Sequence, residues 1–218
     1  AYRSIIAWFM NDKMFEKLKY EKEYLSKGCK YIAGADEVGR GPLAGPVVCC
    51  AVIMPLDEEN IIDGVDDSKK LSAKKREKLS AEILEKAMAV KICRKEPQEI
   101  DEMNILEATK TCMADCVNGL EVRPDVLFAD ALNIKTEVPC VPIVHGDALS
   151  YSIGCASIVA KVYRDRLMDE YAEKYPGYAL EKNKGYGTAV HIKAIKEIGP
   201  CPIHRRSFIK NFWSGDKE

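Results

Sequence analysis

The stretch that most constrains the fold runs from residue 31 to residue 55, YIAGADEVGRGPLAGPVVCCAVIMP. Two apolar segments in it predict strands. Between them lie two adjacent acids, Asp36 and Glu37, and a cation between glycines, Gly39-Arg40-Gly41. A simple turn needs neither two carboxylates nor a guanidinium. We therefore interpret the stretch as a β-hairpin whose corner carries a functional site.

Strands and helices alternate along the rest of the chain. The hydrophobic pattern predicts helices over 11–27, 72–87, 100–117 and 149–175, and strands over 31–37, 46–54, 88–93, 125–130 and 141–145. This alternation is typical of an α/β protein whose sheet contains parallel strands. With 218 residues the chain is long enough for one large domain with a small appendage.

Acidic residues follow three of the predicted strands. Asp36 and Glu37 close the first, Asp130 closes the strand at 125–130, and Asp147 follows the strand at 141–145. Functional crevices of open α/β sheets lie beyond the carboxyl ends of the strands, so the four acids would meet if these strands are neighbours. Each acid also has a simpler explanation. Asp147 can cap the next helix, Asp130 can begin an Asx turn, and a flat strand would point Asp36 and Glu37 to opposite faces.

Four convergent carboxylates would raise one another's pKa values, which is tolerated mainly where a cation neutralises them. Oxygen ligands without histidine favour Mg²⁺ or Mn²⁺ over Zn²⁺, and carboxylate-held magnesium commonly works on phosphates. The chain's formal charge is only −1, yet residues 181–210 hold seven basic and two acidic residues. Such a stretch is either a solvated face or a nucleic-acid surface.

Six motifs, in order, resemble those of the bacterial ribonuclease HII family. They are DEVGRGPLAGPVV at 36–48, DDSKKLS at 66–72, the strand ending at Asp130, GDALSYSIGCASIVAKVYRD at 146–165, NKGYGT at 183–188 and IHRRSF at 203–208. The resemblance covers about residues 20–210. It implies a ribonuclease H-like α/β fold with a central mixed five-stranded sheet flanked by helices and a small helical C-terminal part. We expect an N-terminal helical extension over 1–28, the catalytic domain over 29–170, and a C-terminal helical region over 171–218 that contributes to nucleic-acid binding.

The resemblance also implies a metal-dependent endoribonuclease. Such an enzyme hydrolyses RNA in RNA–DNA hybrids and cuts on the 5′ side of ribonucleotides embedded in duplex DNA, leaving 3′-hydroxyl and 5′-phosphate ends. Asp36, Glu37, Asp130 and Asp147 match the family's catalytic acids, which would hold two Mg²⁺ or Mn²⁺ ions. The implied roles are ribonucleotide removal from DNA and primer clearance.

Other matching positions are expected to contact the nucleic acid. The Gly39-Arg40-Gly41 corner resembles the family's reader of the ribose 2′-hydroxyl, the group by which a protein distinguishes RNA from DNA. Tyr186 matches the tyrosine that stacks on the sugar on the DNA side of the ribonucleotide. Three further residues are candidate phosphate contacts, namely Ser68, Lys69 and Lys184. We also expect His204 and Arg205 to line the site or the nucleic-acid groove.

Three alternatives remain open. A ribonuclease HIII-like enzyme requiring consecutive ribonucleotides usually has another residue in place of Arg40 and an extra N-terminal domain. A non-enzymatic nucleic-acid binder would not need four acids, and a magnesium phosphatase would not explain GRG or KGYGT.

The remaining expectations concern the protein's environment and assembly. No apolar run reaches the roughly 20 residues of a membrane helix. The nine cysteines include no CxxC pair. We expect reduced thiols, a cytoplasmic location, a monomer and no membrane partner.

Overall fold

The computed structural model describes residues 12–213 and residue 215. Expectations for residues 1–11, the start of the predicted N-terminal extension, and for 214 and 216–218 lie outside the described residues. The strands are β1 Ile32–Val38, β2 Val47–Ile53, β3 Ala89–Lys95, β4 Val126–Asp130 and β5 Cys140–Ile143. The helices are α1 Asp12–Lys17, α2 Lys19–Ser26, α3 Ala73–Lys86, α4 Pro97–Met103, α5 Ile105–Asn118, α6 Gly146–Leu149, α7 Tyr151–Lys174, α8 Leu180–Asn183, α9 Ala189–Ile198 and α10 Arg206–Ile209.

These strands form one mixed sheet in the order β3-β2-β1-β4-β5. β1, β2 and β3 pair antiparallel, whereas β4 runs parallel to both β1 and β5. The α/β fold with a mixed five-stranded sheet is therefore confirmed, as is the hairpin of β1 and β2. Because Ala35 lies opposite Ala129, the following residues, Asp36 and Asp130, come side by side at the same edge.

The sheet is covered on both faces, which explains the continuous apolar run of β2. Every residue of β2 is buried, and its alternate side chains enter two different core clusters, one packed against α7 and the other against α5. α7 comes unusually close to β1 at Gly34. A Cβ atom there would lie 2.1 Å from the backbone carbonyl carbon of Ser152, so only glycine allows this approach.

Three of the helices were predicted as continuous segments, but the structure interrupts each of them. The helix predicted at 100–117 is broken at Asn104, which has φ 68° and whose side chain accepts hydrogen bonds from the amides of Leu106 and Glu107. The helix predicted at 149–175 begins as α7 after Ser150, whose hydroxyl accepts from the amide of Ile153. The N-terminal helix is divided at Leu18. Asn104 and Ser150 cap the helix that follows them, so each ends the preceding segment.

The C-terminal elements build a separate small core with the end of α7. Met168, Tyr178, Leu180, Ile195 and Ile209 are buried together there. Among the described residues, no helix has the length and apolar character needed to cross a bilayer. All nine cysteines are free thiols, as predicted.

Candidate metal centre and nucleic-acid site

Three carboxylates meet where β1 and β4 end. Asp36, Glu37 and Asp130, here called the three-carboxylate cluster, each offer an oxygen within 4.8 Å of the others. Neighbouring residues of a flat strand point to opposite faces, yet both Asp36 and Glu37 reach the cluster. The amide of Glu37 donates to Asp36 Oδ1 at 2.7 Å, which draws the Asp36 carboxylate towards the end of the strand.

The electrostatics of this cluster are those of a cation site. Burial raises the pKa of Asp36 well above its usual range, and the charges of Glu37 and Asp130 raise it further. Burial also raises the pKa of Glu37, although Arg40 opposes that shift. Glu37 Oε2 is buried and has no hydrogen-bond partner. An unpartnered carboxylate oxygen beside two other acids fits a hard divalent cation.

Asp147 lies beside the three-carboxylate cluster rather than within it. It belongs to the short helix α6 and does not end a strand. The amide of Gly146 donates to Asp130 Oδ1 at 2.7 Å, so the turn that carries Asp147 is tied to the cluster. Burial raises the pKa of Asp147, and the charges of Asp67 and Asp130 add to that effect. The simpler roles are not observed, because Ser150 caps α7 and Asp130 bonds a distant amide.

Asp67 is a further carboxylate that the sequence analysis did not single out. Among the neighbouring charges, that of Asp67 has the largest effect on the pKa of Asp147, which it raises. Asp67 belongs to the DDSKKLS motif, which offered a signal in the form of two consecutive acids. On the same segment the exposed Lys69 ammonium lies 4.0 Å from Asp147 Oδ2.

The GRG corner and Tyr186 come together beside these acids. The Arg40 side chain is 44% exposed, and its guanidinium lies 3.5 Å from Glu37 Oε1. A Cβ atom on Gly41 would lie 3.7 Å from the Tyr186 ring, which is also 44% exposed. An exposed cation, a glycine and an exposed aromatic ring therefore form a surface continuous with the cluster.

Two buried arginines, Arg164 and Arg205, stabilise this corner by hydrogen bonds to its backbone carbonyls. Arg164 donates to the carbonyls of Pro46 (3.0 Å), Lys184 (2.9 Å) and Ala44 (3.1 Å). Arg205 donates to those of Gly45 (3.0 Å), Arg40 (2.9 Å) and Gly39 (2.6 Å). Together they order residues 39–46, here called the 39–46 connection.

The buried arginines also explain the first glycine of GRG. Gly39 has φ +94°, and a Cβ atom there would lie 2.3 Å from Arg164 Nε, so its side-chain space is occupied by the arginine. Burial lowers the pKa of Arg164 to about 10 and that of Arg205 to about 9. The expectation that His204 and Arg205 line the groove is wrong, because both side chains are buried.

The three candidate phosphate contacts differ in their surroundings. Lys69 points into solvent, with its side chain 81% exposed. Ser68 is buried, with its hydroxyl oxygen 3.0 Å from that of Ser157, and the Ser157 hydroxyl donates to the Asp36 carboxylate. The Lys184 ammonium is paired with Asp169. Only Lys69 is thus presented to solvent beside the acids, and phosphate binding by all three stays a prediction.

The family comparison and the search for related proteins both match this chain to the same family. The family "Ribonuclease HII" matches residues 33–211. The chain is 54% identical to ribonuclease HII of Lactobacillus johnsonii over 192 residues, which is 88% of this chain and 76% of the relative.

Two solved structures share the fold. Ribonuclease H2 of Pyrococcus horikoshii has a TM-score of 0.69 at 28% identity, covering 85% of this chain and all of that one. The ribonuclease HII in the PCNA complex of Archaeoglobus fulgidus has a TM-score of 0.71 at 27% identity, covering 85% and 98%.

Proposed function

The chain belongs to the ribonuclease HII family, and from that premise we propose that it cuts on the 5′ side of ribonucleotides embedded in duplex DNA by two-metal-ion catalysis. The coarser activity comes with the family: the chain is a metal-dependent endoribonuclease that acts on RNA–DNA hybrids. The products we propose are 3′-hydroxyl and 5′-phosphate ends. The corresponding roles are removal of ribonucleotides from DNA and clearance of primers.

One observation carries this proposal, namely the three-carboxylate cluster with its unpartnered Glu37 oxygen. Asp36, Glu37, Asp130 and Asp147 hold the metal, with Mg²⁺ or Mn²⁺ preferred because the donors are all oxygens. Two divalent ions, when bound, supply activation of water and stabilisation of the leaving 3′ oxygen. Asp130 has a second task, because it fixes the turn before Asp147 by accepting the Gly146 amide.

The surface next to the acids reads the substrate. Backbone groups of the 39–46 connection approach the ribose 2′-hydroxyl, which a deoxyribose lacks. The exposed Arg40 contacts a phosphate, and Tyr186 stacks on the neighbouring sugar. Lys69 lies 4.0 Å from Asp147, where its exposed ammonium contacts another phosphate. The substrates are RNA–DNA hybrids and duplex DNA with embedded ribonucleotides.

The test uses end-labelled duplex DNA with one embedded ribonucleotide, beside an all-DNA duplex. We expect Mg²⁺- or Mn²⁺-dependent cleavage only of the ribonucleotide strand, on its 5′ side. An Asp130→Asn variant should lose cleavage, whereas Asp63→Asn, a matched change at an exposed acid, should retain it. Cleavage of the all-DNA duplex, or full activity of Asp130→Asn, would contradict the proposal.

The second candidate is a ribonuclease HIII-like preference for consecutive ribonucleotides. It would show as cleavage of hybrids with several ribonucleotides and none of the single-ribonucleotide duplex. Arg40 and the match to ribonuclease HII favour the first candidate. A cytoplasmic location, a monomeric state and the three-part division of the chain stay predictions.

A further inference from the structure

The N-terminal helices contribute two buried charges next to the candidate metal centre. Residues 12–32 precede the part of the chain that matches the family, residues 33–211. Within them Lys17 is 3% exposed and Glu21 is fully buried. Charged side chains are almost never buried to this extent without partners, so their contacts identify what they do.

Lys17 contacts both the turn that carries Asp147 and the DDSKKLS segment that carries Asp67. Its ammonium donates to the backbone carbonyl of Asp147 at 3.2 Å. The same nitrogen lies 3.2 Å from Asp66 Oδ1, in the segment that also carries Asp67 and Lys69. One side chain therefore fixes the turn of Asp147 relative to the DDSKKLS segment.

Glu21 fixes the other end of the same turn. Its Oε1 accepts from the Ser150 hydroxyl at 2.6 Å and from the Ser152 amide at 2.9 Å. Ser150 is the break between α6 and α7 and the cap of α7. The turn that carries Asp147 is thus held by Lys17 near its start and by Glu21 at its end.

Packing shows that this segment is docked on the domain. The rings of Tyr20 and Tyr24 meet Phe128 of β4 edge to face, with centroids 6.3 and 5.1 Å away. Met14 and Leu18 are buried in the core cluster that includes α7. α1 and α2 therefore contact both elements that lead into the metal centre, β4 and the α6–α7 turn.

We propose that Lys17 is a positioning residue of the metal centre, which holds the Asp147 turn, also bonded by Glu21, in the place where Asp147 joins Asp130 in binding the cation. This inference rests on the proposed metal site. Charge alone would give Lys17 the opposite role, because a cation close to the acids repels a metal ion. Removing the ammonium therefore separates the two effects by their sign: lost positioning weakens metal binding, and lost repulsion strengthens it.

The experiment measures Mn²⁺ binding by calorimetry on the full chain without nucleic acid. The variants are Lys17→Met, which keeps most of the apolar stem, and Lys19→Met, which removes an exposed ammonium from the same segment. Loss of a residue that orients metal ligands typically costs about 10- to 100-fold in metal affinity. We expect the Kd for Mn²⁺ to rise about 10-fold in Lys17→Met and to stay within about twofold in Lys19→Met.

A second variant distinguishes a loss of metal binding from a loss of folding. Lys17→Met leaves the Asp66 carboxylate without this ammonium, which can destabilise the fold. The double variant Lys17→Met with Asp66→Asn removes that charge as well, so it should unfold closer to the wild-type temperature while still binding Mn²⁺ weakly.

Two results overturn the inference. If either variant is folded and binds Mn²⁺ as tightly as the wild type or more tightly, Lys17 does not position the metal centre while the proposed site stands. If the wild type itself binds no Mn²⁺, the proposed metal site fails and the inference fails with it.

Discussion

At the residue scale, Arg164 and Arg205 stabilise the conformation of the 39–46 connection by hydrogen bonds to its carbonyls. The acceptors of both guanidinium groups are backbone carbonyls, and among the described residues neither group forms an ion pair. A guanidinium is suited to this task because its donors form a rigid planar fork, whereas lysine offers a single compact ammonium. The charge of these residues is therefore less important here than their shape.

Substitution of Arg205 by lysine tests this role. Arg205→Lys keeps the charge but loses the fork that reaches Gly39, Arg40 and Gly45. Hydrogen bonds to charged groups contribute about 1.5–3 kcal/mol each, so we expect kcat/KM on the single-ribonucleotide duplex to fall about 10-fold or more. Arg166→Lys, an exposed arginine paired with Glu77, should stay within about twofold of the wild type. Equal activity of Arg205→Lys and the wild type would contradict the role.

His191 and His204 form a buried pair that is hydrogen-bonded to the backbone of Tyr186, and the geometry of these bonds fixes the tautomer of each ring. His191 Nδ1 is 2.9 Å from the Tyr186 carbonyl and must donate to it. His191 Nε2 then accepts from His204 Nε2 at 3.0 Å, and His204 Nδ1 accepts from the Cys201 amide at 3.0 Å. This chain requires both rings to be neutral, which agrees with the burial that lowers both pKa values, that of His204 to about 4.

The sign of the resulting pH dependence follows from proton binding. The pKa of His204 lies below its ordinary value of 6.5, so the unfolded chain binds more protons between pH 6.5 and about 4. The contribution to stability is complete above pH 6.5 and declines as the pH falls through that window, by about 3 kcal/mol in total. We expect denaturant unfolding of the wild type, relative to His204→Gln, to show this loss. A difference between the two proteins that does not change from pH 7.5 to 4.5 would contradict it.

At the element scale, the helix boundaries depend on single capping residues. Asn104 has φ 68° and ψ 161°, a region that is essentially restricted to glycine, yet its side chain accepts from two amides at the start of α5. The apolar pattern continues across this residue, so periodicity alone predicts one helix. The break ends α4 at Met103, and Asp101 of α4 accepts hydrogen bonds from the amides of Arg206 and Ser207.

Two substitutions at Asn104 separate the cap from the backbone strain. Asn104→Ala loses the cap and keeps the strained backbone, so we expect the free energy of unfolding to fall by about 1–2 kcal/mol. Asn104→Gly also loses the cap but relieves the strain, so it should be less destabilised than Asn104→Ala. Chemical unfolding of both variants measures the difference. A glycine variant less stable than the alanine variant would show that strain is not stored there.

At the scale of the whole molecule, β2 and β4 were predictable from the sequence because β2 is a fully buried apolar run and β4 is a buried run that ends in Asp130. The convergence of Asp36, Glu37 and Asp130 followed from strand order and the rule for open α/β sheets, and the sheet order is as that argument required. Long-range contacts were beyond prediction. No periodicity indicates that Arg205 donates to Gly39, or that Lys17 reaches Asp147, because those contacts depend on how distant segments pack.

The metal centre should couple to the stability of the whole fold. Asp36, Glu37 and Asp130 repel one another where β1 and β4 end, and a bound cation replaces that repulsion with attraction. Because the unfolded chain does not hold the acids together, the cation binds mainly the folded state. At a metal concentration 100 times Kd the stabilisation is about 2.7 kcal/mol. For a chain of this size that corresponds to a rise in Tm of about 5–10 °C.

Thermal unfolding with increasing Mn²⁺ or Mg²⁺, and with a chelator as the reference, measures this rise. Asp36→Asn removes one of the repelling charges, so its Tm in chelator should equal or exceed that of the wild type, and its metal-induced rise should be much smaller. Asp63→Asn, at an exposed acid outside the cluster, should behave as the wild type in both conditions. An equal metal-induced rise in the wild type and in Asp36→Asn would place the stabilising ion elsewhere, because the cluster cannot lose one of its charges and bind the cation unchanged.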